Sequence, residues 1–414
     1  MRRAASGRRL ALRARFCRYG RLAIQRATCL SQAGGCRLIG VENLTVRTTA
    51  KTLDSGQRSS WLSHWSFDAI LLWCAYRLGH LVLNLVVTGQ FAGGQYRWDD
   101  AIYRRMIDHS YHPTDSSPWQ PTNFFPLLPW TTRAVADVVH SQTVAIFIVT
   151  IAAQLGAVLA VFAVAKGILG RSSARWSVAL LLLFPSAHFL WMFYVEALFI
   201  ALSAGALLAA ERGHHRLAGV AGVGVAMTRV NGILIVLPLI IAYRSRRRID
   251  AGAMWCVLPI CGVALVMIAQ HRQAGDALGF IHSSSAWGRH TTWPWQTLID
   301  RVDLAMGLHK LGIGFLIDMA AQIGFLCMAA CAFRDRARWP LSIALWLALM
   351  ASVHLASGLM FSWSRYMLDA WPGFLIMGAW LAKQPKLLKV ATVCALVALT
   401  INRVSALNAG GFVG

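Results

Sequence analysis

The chain has 414 residues, of which 57% are hydrophobic and 14% charged, and the apolar residues fall in long runs parted by short polar joints. That pattern excludes an ordinary soluble enzyme. It supplies the apolar stretches of about 20 residues that a helical crossing needs, and it lacks the alternation of an outer-membrane barrel strand. The formal charge of +23 lies partly in the first 50 residues and partly in the short joints, so it is read as topology and not as a nucleic-acid surface.

Residues 1–60 make a basic tail with no acidic residue before Glu42. An arginine-rich, acid-poor leader fits a transit peptide, a cytoplasmic tail or a wrongly assigned start, and no apolar core of a cleaved secretory signal is present. The tail is expected to be disordered or misassigned. The rest, 61–408, reads as an all-α, polytopic transmembrane bundle of about 9 to 11 spans. Candidate spans run near 66–90, 142–166, 174–192, 194–211, 216–228, 230–243, 252–270, 310–333, 339–361, 365–382 and 387–405. The short pair between 216 and 243 is the weakest, and could be a hairpin that does not fully cross.

With the N-terminus in the cytoplasm, every inner joint is basic: Lys166/Arg171/Arg175, Arg212/Arg216, Arg244 to Arg248, Arg334/Arg336/Arg338 and Lys383/Lys386/Lys389, as the positive-inside rule requires. The same threading places outside Asp99, Asp100, Asp108, Asp115, Asp137, Glu196, Asp276, Asp300, Asp303, Asp318 and Asp369, 11 of the 17 acids. Chemistry that needs a carboxylate is therefore expected on the extracytoplasmic side. Two outer loops are long, near 91–141 and 271–309. Long loops tend to be functional, although their tryptophans also suit an interfacial belt.

The first loop opens Arg97-Trp98-Asp99-Asp100-Ala101-Ile102-Tyr103 and continues to Asn123-Phe124-Phe125-Pro126-Leu127-Leu128-Pro129. Adjacent carboxylates at a span end are costly unless paired, solvated or used. Asp99 either caps the helix that follows it or serves a reaction. Farther along come Phe184-Pro185-Ser186 with Tyr194-Val195-Glu196-Ala197-Leu198-Phe199, then Thr228-Arg229-Val230-Asn231-Gly232. Gly275-Asp276-Ala277-Leu278-Gly279-Phe280 with Trp287-Gly288-Arg289 follows, and last Arg365-Tyr366 with Pro372.

These five segments, in this order, resemble the PIG-V family, the GPI mannosyltransferase II-like proteins of the GT-C superfamily. Three departures stand out: Ser110 where the family usually has Gly before Tyr111, Ala277 in place of a common Pro, and a second acid, Asp100, beside Asp99. The first two look tolerable for the fold, and the third leaves open which carboxylate reacts.

The resemblance implies a GT-C-like bundle that takes a sugar, mannose by analogy, from a polyprenyl or dolichyl phosphate. The sugar would pass to an acceptor hydroxyl on the outer side with inversion, the acceptor being a glycan, glycolipid or protein. An activated lipid-phosphate donor needs no nucleotide fold, and no glycine-rich phosphate loop is present.

One carboxylate can serve as general base while cations neutralise the departing phosphate. Asp99 is the expected base, with Asp100 or Asp276 as understudies. Arg229, Arg289 and Arg365 are the expected phosphate cations, because guanidinium forks suit phosphate oxygens. Each has a plainer role available: Arg229 could break a hairpin, Arg289 could pair with Asp276 or Asp300, and Arg365 could snorkel to the interface. Trp98, Tyr103, Phe125, Pro126, Tyr194, Glu196, Asp276 and Tyr366 complete the expected substrate-binding set, Glu196 having a helix cap as its alternative.

Arg77 and His80, inside the first span, are expected to face the bundle interior. No HxxxH or HExxH spacing joins His109, His112, His282 and His290, so no metal site is expected, although the sequence leaves a divalent ion open. The nine cysteines form no CxxC pair and none lies in the outer loops, so they read as core residues. Compact loops with much arginine and alanine favour a bacterial cytoplasmic membrane over an endoplasmic reticulum. A multi-span transporter or lipid flippase is the competing class, against which stand the one-sided polar clusters and the lack of a second copy of the motifs.

Overall fold

Apolar runs become helices because, away from water, only intra-segment hydrogen bonds satisfy the backbone. The computed structural model describes residues 58–89, 98–112, 121–246, 248, 250–307, 312–358 and 361–409, all within one unit, Ser55–Gly414. The basic tail before residue 58, Arg97 and Asp115 lie outside the described residues.

In chain order the helices are α1 (Arg58–Thr88), α2 (Asp99–His109), α3 (Leu127–Val139), α4 (Gln142–Leu169), α5 (Arg171–Leu183), α6 (His188–Trp191), α7 (Glu196–Glu211), α8 (His215–Thr228) and α9 (Val236–Arg244). They continue as α10 (Met254–Val257), α11 (Pro259–Ala274), α12 (Gly279–His282), α13 (Pro294–Gly307), α14 (Ile313–Arg334), α15 (Leu341–Ser352), α16 (Trp363–Tyr366), α17 (Pro372–Leu381) and α18 (Lys386–Asn408). The described residues contain no strand, and the chain is a polytopic helical membrane protein.

Four helical stretches are long and apolar enough to cross a membrane on their own: Phe67–Val87 of α1, then α4, α14 and α18. A bent pair, α10 with its preceding 3-10 turn and α11, meets the same test when taken together and turns by 45°, the form of a broken span or of a re-entrant loop. Pro259 sits at the first turn of α11, the helical position that tolerates a missing N–H. The core runs through the bundle, with α4 packed along α7, α5 along α17, and α8 between α7 and α11. At Gly378 a β-carbon would overlap the Ser177 backbone, which shows how closely α5 and α17 approach.

Besides the bent stretch 252–270 and the stretch 230–243, which begins as a 3-10 turn, three of the expected spans are not continuous helices. The stretch 174–192 is helical only to Leu183, and the buried segment from Phe184 to Val195 is irregular apart from α6. The stretches 339–361 and 365–382 are represented by α15 and α17, and the chain between Ser352 and Pro372 unwinds into short turns around α16. The physical reason is polar content. His354, Ser362, Ser364, Arg365 and Asp369 are all buried there, and such groups need partners that a lipid-facing helix does not supply. The expected outer loops also hold structure, since α2 and α3 fold within 91–141 and α12 and α13 within 271–309.

The ion pairs sort by face. Asp68 meets Arg171 and Arg175, and Glu211 meets Arg246, all at the end carrying the basic joints. The pairs of Asp99, Glu196, Asp276, Asp318 and Asp369 lie at the other end. No ion pair among the described residues joins the two groups. Within α1, Arg77 donates to Gln154 Oε1 at 3.2 Å and lies over the Trp191 ring. His80 is buried between Tyr76 and Trp191.

Candidate active site

Three breaks in the helices meet at one end of the bundle, and each presents a charged residue. The first break ends where α7 begins, at Glu196, which is fully buried. The second follows α8. Thr228 closes the helix, Arg229 is extended with φ −155° and ψ 150°, and a 3-10 turn runs from Val230 to Ile235. A β-carbon at Gly232 would overlap the Val225 carbonyl, so this turn, which aims Arg229, requires glycine. The third break carries Arg365 and Asp369 on either side of the end of α16.

The start of α2 closes the group. Asp99 is the first residue of that helix, and Trp98 before it has φ +57° and ψ −128°. The preceding residue makes no side-chain cap, and the Asp99 carboxylate turns into the bundle. Arg365 donates from Nη1 to Asp99 Oδ2 at 2.7 Å and from Nε to Glu196 Oε1 at 2.5 Å. Arg229 donates to the same Glu196 oxygen and, at 2.5 Å, to Asp369 Oδ2. One carboxylate thus bridges two guanidiniums, and each guanidinium reaches a further carboxylate.

The cluster brings three carboxylates, Asp99, Glu196 and Asp369, against two guanidiniums, Arg229 and Arg365. Its carboxylates are not equally accessible. The Asp99 side chain is 16% exposed, that of Glu196 0% and that of Asp369 1%. Asp99 Oδ2 is held by Arg365, and no described residue engages its Oδ1. Asp100, by contrast, is buried and pairs with Arg104 of its own helix.

Aromatic rings frame the charges. Arg365 lies over the Phe189 and Tyr194 rings at 4.8 and 4.6 Å, and Arg229 over Tyr366 at 5.2 Å. Tyr103 is buried edge-on to Phe124 and Phe193. Stacking on π faces suits arginine better than lysine and holds each fork in one plane.

Arg289, from the second outer loop, donates to Tyr366 Oη at 2.9 Å, while its buried Nε–H has no acceptor and no carboxylate pairs with it. It lines a cleft of about 310 Å³ with Asn123, Phe125, Val230, Phe280 and Ser357. Phe125 packs edge-on against Phe280, and Pro126 directly precedes α3. A larger cleft, about 670 Å³, is lined by Gly213 to Leu217, Tyr243 and Trp255 at the basic end and contains none of these residues.

The structure gathers Asp99, Glu196, Arg229, Arg365, Tyr194 and Tyr366, with Tyr103, Phe125 and Arg289 close by. It separates Asp276, a half-exposed loop residue whose Oδ2 lies 2.7 Å from His282 Nδ1. That hydrogen bond holds the Asp276 carboxyl below its usual range. Trp98 is half exposed. The plainer alternatives for two of the arginines are not what the structure shows: Arg289 meets Tyr366 and not Asp276 or Asp300, and Arg365 is buried in the cluster and does not snorkel. Asp369 was passed over as a site residue. The signal that could have found it is an acid four residues after Arg365 in an otherwise apolar stretch. Among the described residues, no group of three or more His, Cys, Asp or Glu side chains is placed to hold a metal ion.

No family model matches the chain, and no curated protein matches it. Among solved structures it is similar to ArnT from Cupriavidus metallidurans bound to undecaprenyl phosphate, at 14% identity and a TM-score of 0.50, covering 81% of this chain and 64% of ArnT. The fold is GT-C-like. The Archaeoglobus fulgidus oligosaccharyltransferase in its apo form is 11% identical over 85% of this chain and 56% of its own, with a TM-score of 0.49. Both neighbours are glycosyltransferases of the GT-C superfamily. The chain spans about 64% of the length of ArnT, and what the two share is the helical membrane fold.

Proposed function

We propose that this chain is a GT-C-type glycosyltransferase, close to the PIG-V family, that moves a sugar from a polyprenyl or dolichyl phosphate to an acceptor hydroxyl on the extracytoplasmic face. Mannose is the sugar that the motif resemblance favours. The observation that carries the reading is the Asp99 carboxylate, one oxygen clamped by Arg365 and the other open, at the edge of a buried cluster of three carboxylates and two guanidiniums.

Asp99 Oδ1 accepts the proton of the acceptor hydroxyl. The acceptor oxygen then attacks the anomeric carbon from the side opposite the phosphate, the bond from that carbon to the phosphate oxygen breaks, and the sugar is delivered with inversion. A positioned base contributes about 10² to 10⁴ in rate. The clamp by Arg365 fixes the orientation of the carboxylate. The departing lipid phosphate needs a cation that is not already spent. Arg229 and Arg365 are both committed to carboxylates, so Arg289, which lines the cleft and has no acid partner among the described residues, is the residue for it. Glu196 and Asp369 hold the two arginines in place.

The test is transfer of labelled mannose from its polyprenyl phosphate carrier by membranes holding the Asp99→Asn variant. Loss of at least about 10²-fold, with the protein still inserted, is expected. Transfer at the wild-type rate removes Asp99 from the role.

A further inference from the structure

Besides the Asp99 cluster, the same end of the bundle buries a second ionic group. Asp318 of α14 is 5% exposed at its side chain and meets Arg301 Nη2 of α13 at 3.5 Å and Arg403 Nη2 of α18 at 3.4 Å. Its Oδ1 also accepts the Ser364 backbone N–H at 3.0 Å, and Arg403 Nη2 reaches Ser364 Oγ at 3.3 Å. The two arginine side chains are only 12% and 7% exposed.

This group is out of balance. Two guanidiniums face one carboxylate, and the Nε–H of each arginine is buried without an acceptor. An uncompensated buried charge costs several kcal/mol, and buried donors in native proteins nearly always have a partner. An anion with several oxygens would supply both the missing charge and the missing acceptors, in the forked geometry that arginine offers to phosphate.

The surroundings say where that anion comes from. Helices α14 and α18 are two of the four long apolar helices, and their outward faces expose Leu316, Ile323, Val397 and Ile401. Helix α13 exposes Trp295, Ile299 and Met306, as an interfacial helix does. Arg301 lies over the Phe315 and Phe361 rings at 5.3 and 5.2 Å. Asp318 lies near the start of α14 and Arg403 near the end of α18, so the charges sit toward the ends of these two apolar helices, beside surface that suits acyl chains.

We propose that Arg301 and Arg403 bind the phosphate of a membrane lipid, at a site separate from Arg289 and the Asp99 cluster. Ser364 touches this site and Arg365 touches Asp99, so one peptide bond joins the two groups. The lipid phosphate has two sources, a polyprenyl carrier or a bulk phospholipid. The carrier version rests on the proposed transferase function, whereas lipid binding itself does not.

The experiment measures equilibrium binding of labelled undecaprenyl phosphate, phosphatidylglycerol and inorganic phosphate to the purified full chain in detergent, with no sugar donor present. The wild type is expected to bind at least one of the two lipids. Arg301→Gln and Arg403→Gln each weaken that binding by about tenfold or more, the loss of a charge-assisted hydrogen bond. Arg301→Lys keeps the charge without the fork and falls between. Preference for undecaprenyl phosphate assigns the carrier, and equal binding of both lipids assigns bulk phospholipid. Binding of inorganic phosphate alone, of no probe, or of lipid equally by wild type and both Gln variants overturns the proposal.

Thermal unfolding guards against misfolded variants: without lipid Arg301→Gln still unfolds in a cooperative transition, and added lipid raises its Tm by less than that of the wild type. Wild-type transfer by Asp99→Asn with arginine-dependent lipid binding present overturns only the catalytic reading, and loss of transfer in Asp99→Asn with no arginine-dependent lipid binding overturns only the site at Asp318.

Discussion

At the residue scale the site depends on backbone conformations that side chains seldom adopt. Trp98, Ser110 and Ser362 all have positive φ, and each stands beside a functional segment. Ser110 is the plainest case. It has φ +51° and ψ −119°, a region that favours glycine and costs other residues about 1–3 kcal/mol. A serine at this position is therefore less neutral than its size implies. Ser110 Oγ accepts the Trp130 indole N–H at 3.0 Å, which returns about 1 kcal/mol. Ser110→Gly is expected to raise stability by about 1 kcal/mol net, read as a Tm higher by a few degrees in detergent. An unchanged or lower midpoint means the strain is absent.

At the scale of elements, the site exists because three apolar segments of the bundle stop being helical at one level. Irregular backbone inside a membrane survives where protein buries it, and here the ionic cluster ties the breaks together. Glu196 is the shared acceptor, so Glu196→Gln leaves two arginines short of a carboxylate and is expected to cost about 3–5 kcal/mol. Combining it with Arg229→Gln should recover part of that cost, and a double-mutant cycle measures the coupling. Additive losses would show that Glu196 and Arg229 do not interact. The turn behind Arg229 has its own test. Gly232→Ala forces the chain off the Val225 carbonyl and is expected to cost more than the ~1 kcal/mol of an ordinary glycine change, with a drop in transfer as Arg229 shifts. Wild-type stability and activity in this variant would show the turn to be permissive.

For the whole molecule, the governing feature is polarity across the membrane. Ion pairs stay on their own side, and the carboxylate cluster lies at the end away from the basic joints. By the positive-inside rule the cluster is expected outside. In a background without native cysteines, Val138→Cys is expected to react with a membrane-impermeant maleimide on intact cells, and Lys386→Cys only after permeabilisation; both side chains are exposed. The opposite pattern would invert the threading and remove the donor assumed for Asp99.

Hydropathy, charge placement and motif order were enough by themselves to establish a helical membrane protein, and to single out Asp99, Glu196, Arg229 and Arg365 one at a time, because burial in lipid and the cost of a charge there are local properties of a segment. Whether those charges met, and in what pairing, was not legible: Glu196 and Arg365 are 169 residues apart and Arg365 and Asp99 266 apart. The breaks at Phe184–Val195 and Ser352–Pro372 looked like spans because their apolar residues outnumber their polar ones. The assignment of Asp100 to Arg104, the exclusion of Asp276, the entry of Asp369, and the surplus of cation at Asp318 all came from the tertiary structure. Charge balance belongs to a set of neighbours, and the packing of distant segments alone decides who the neighbours are.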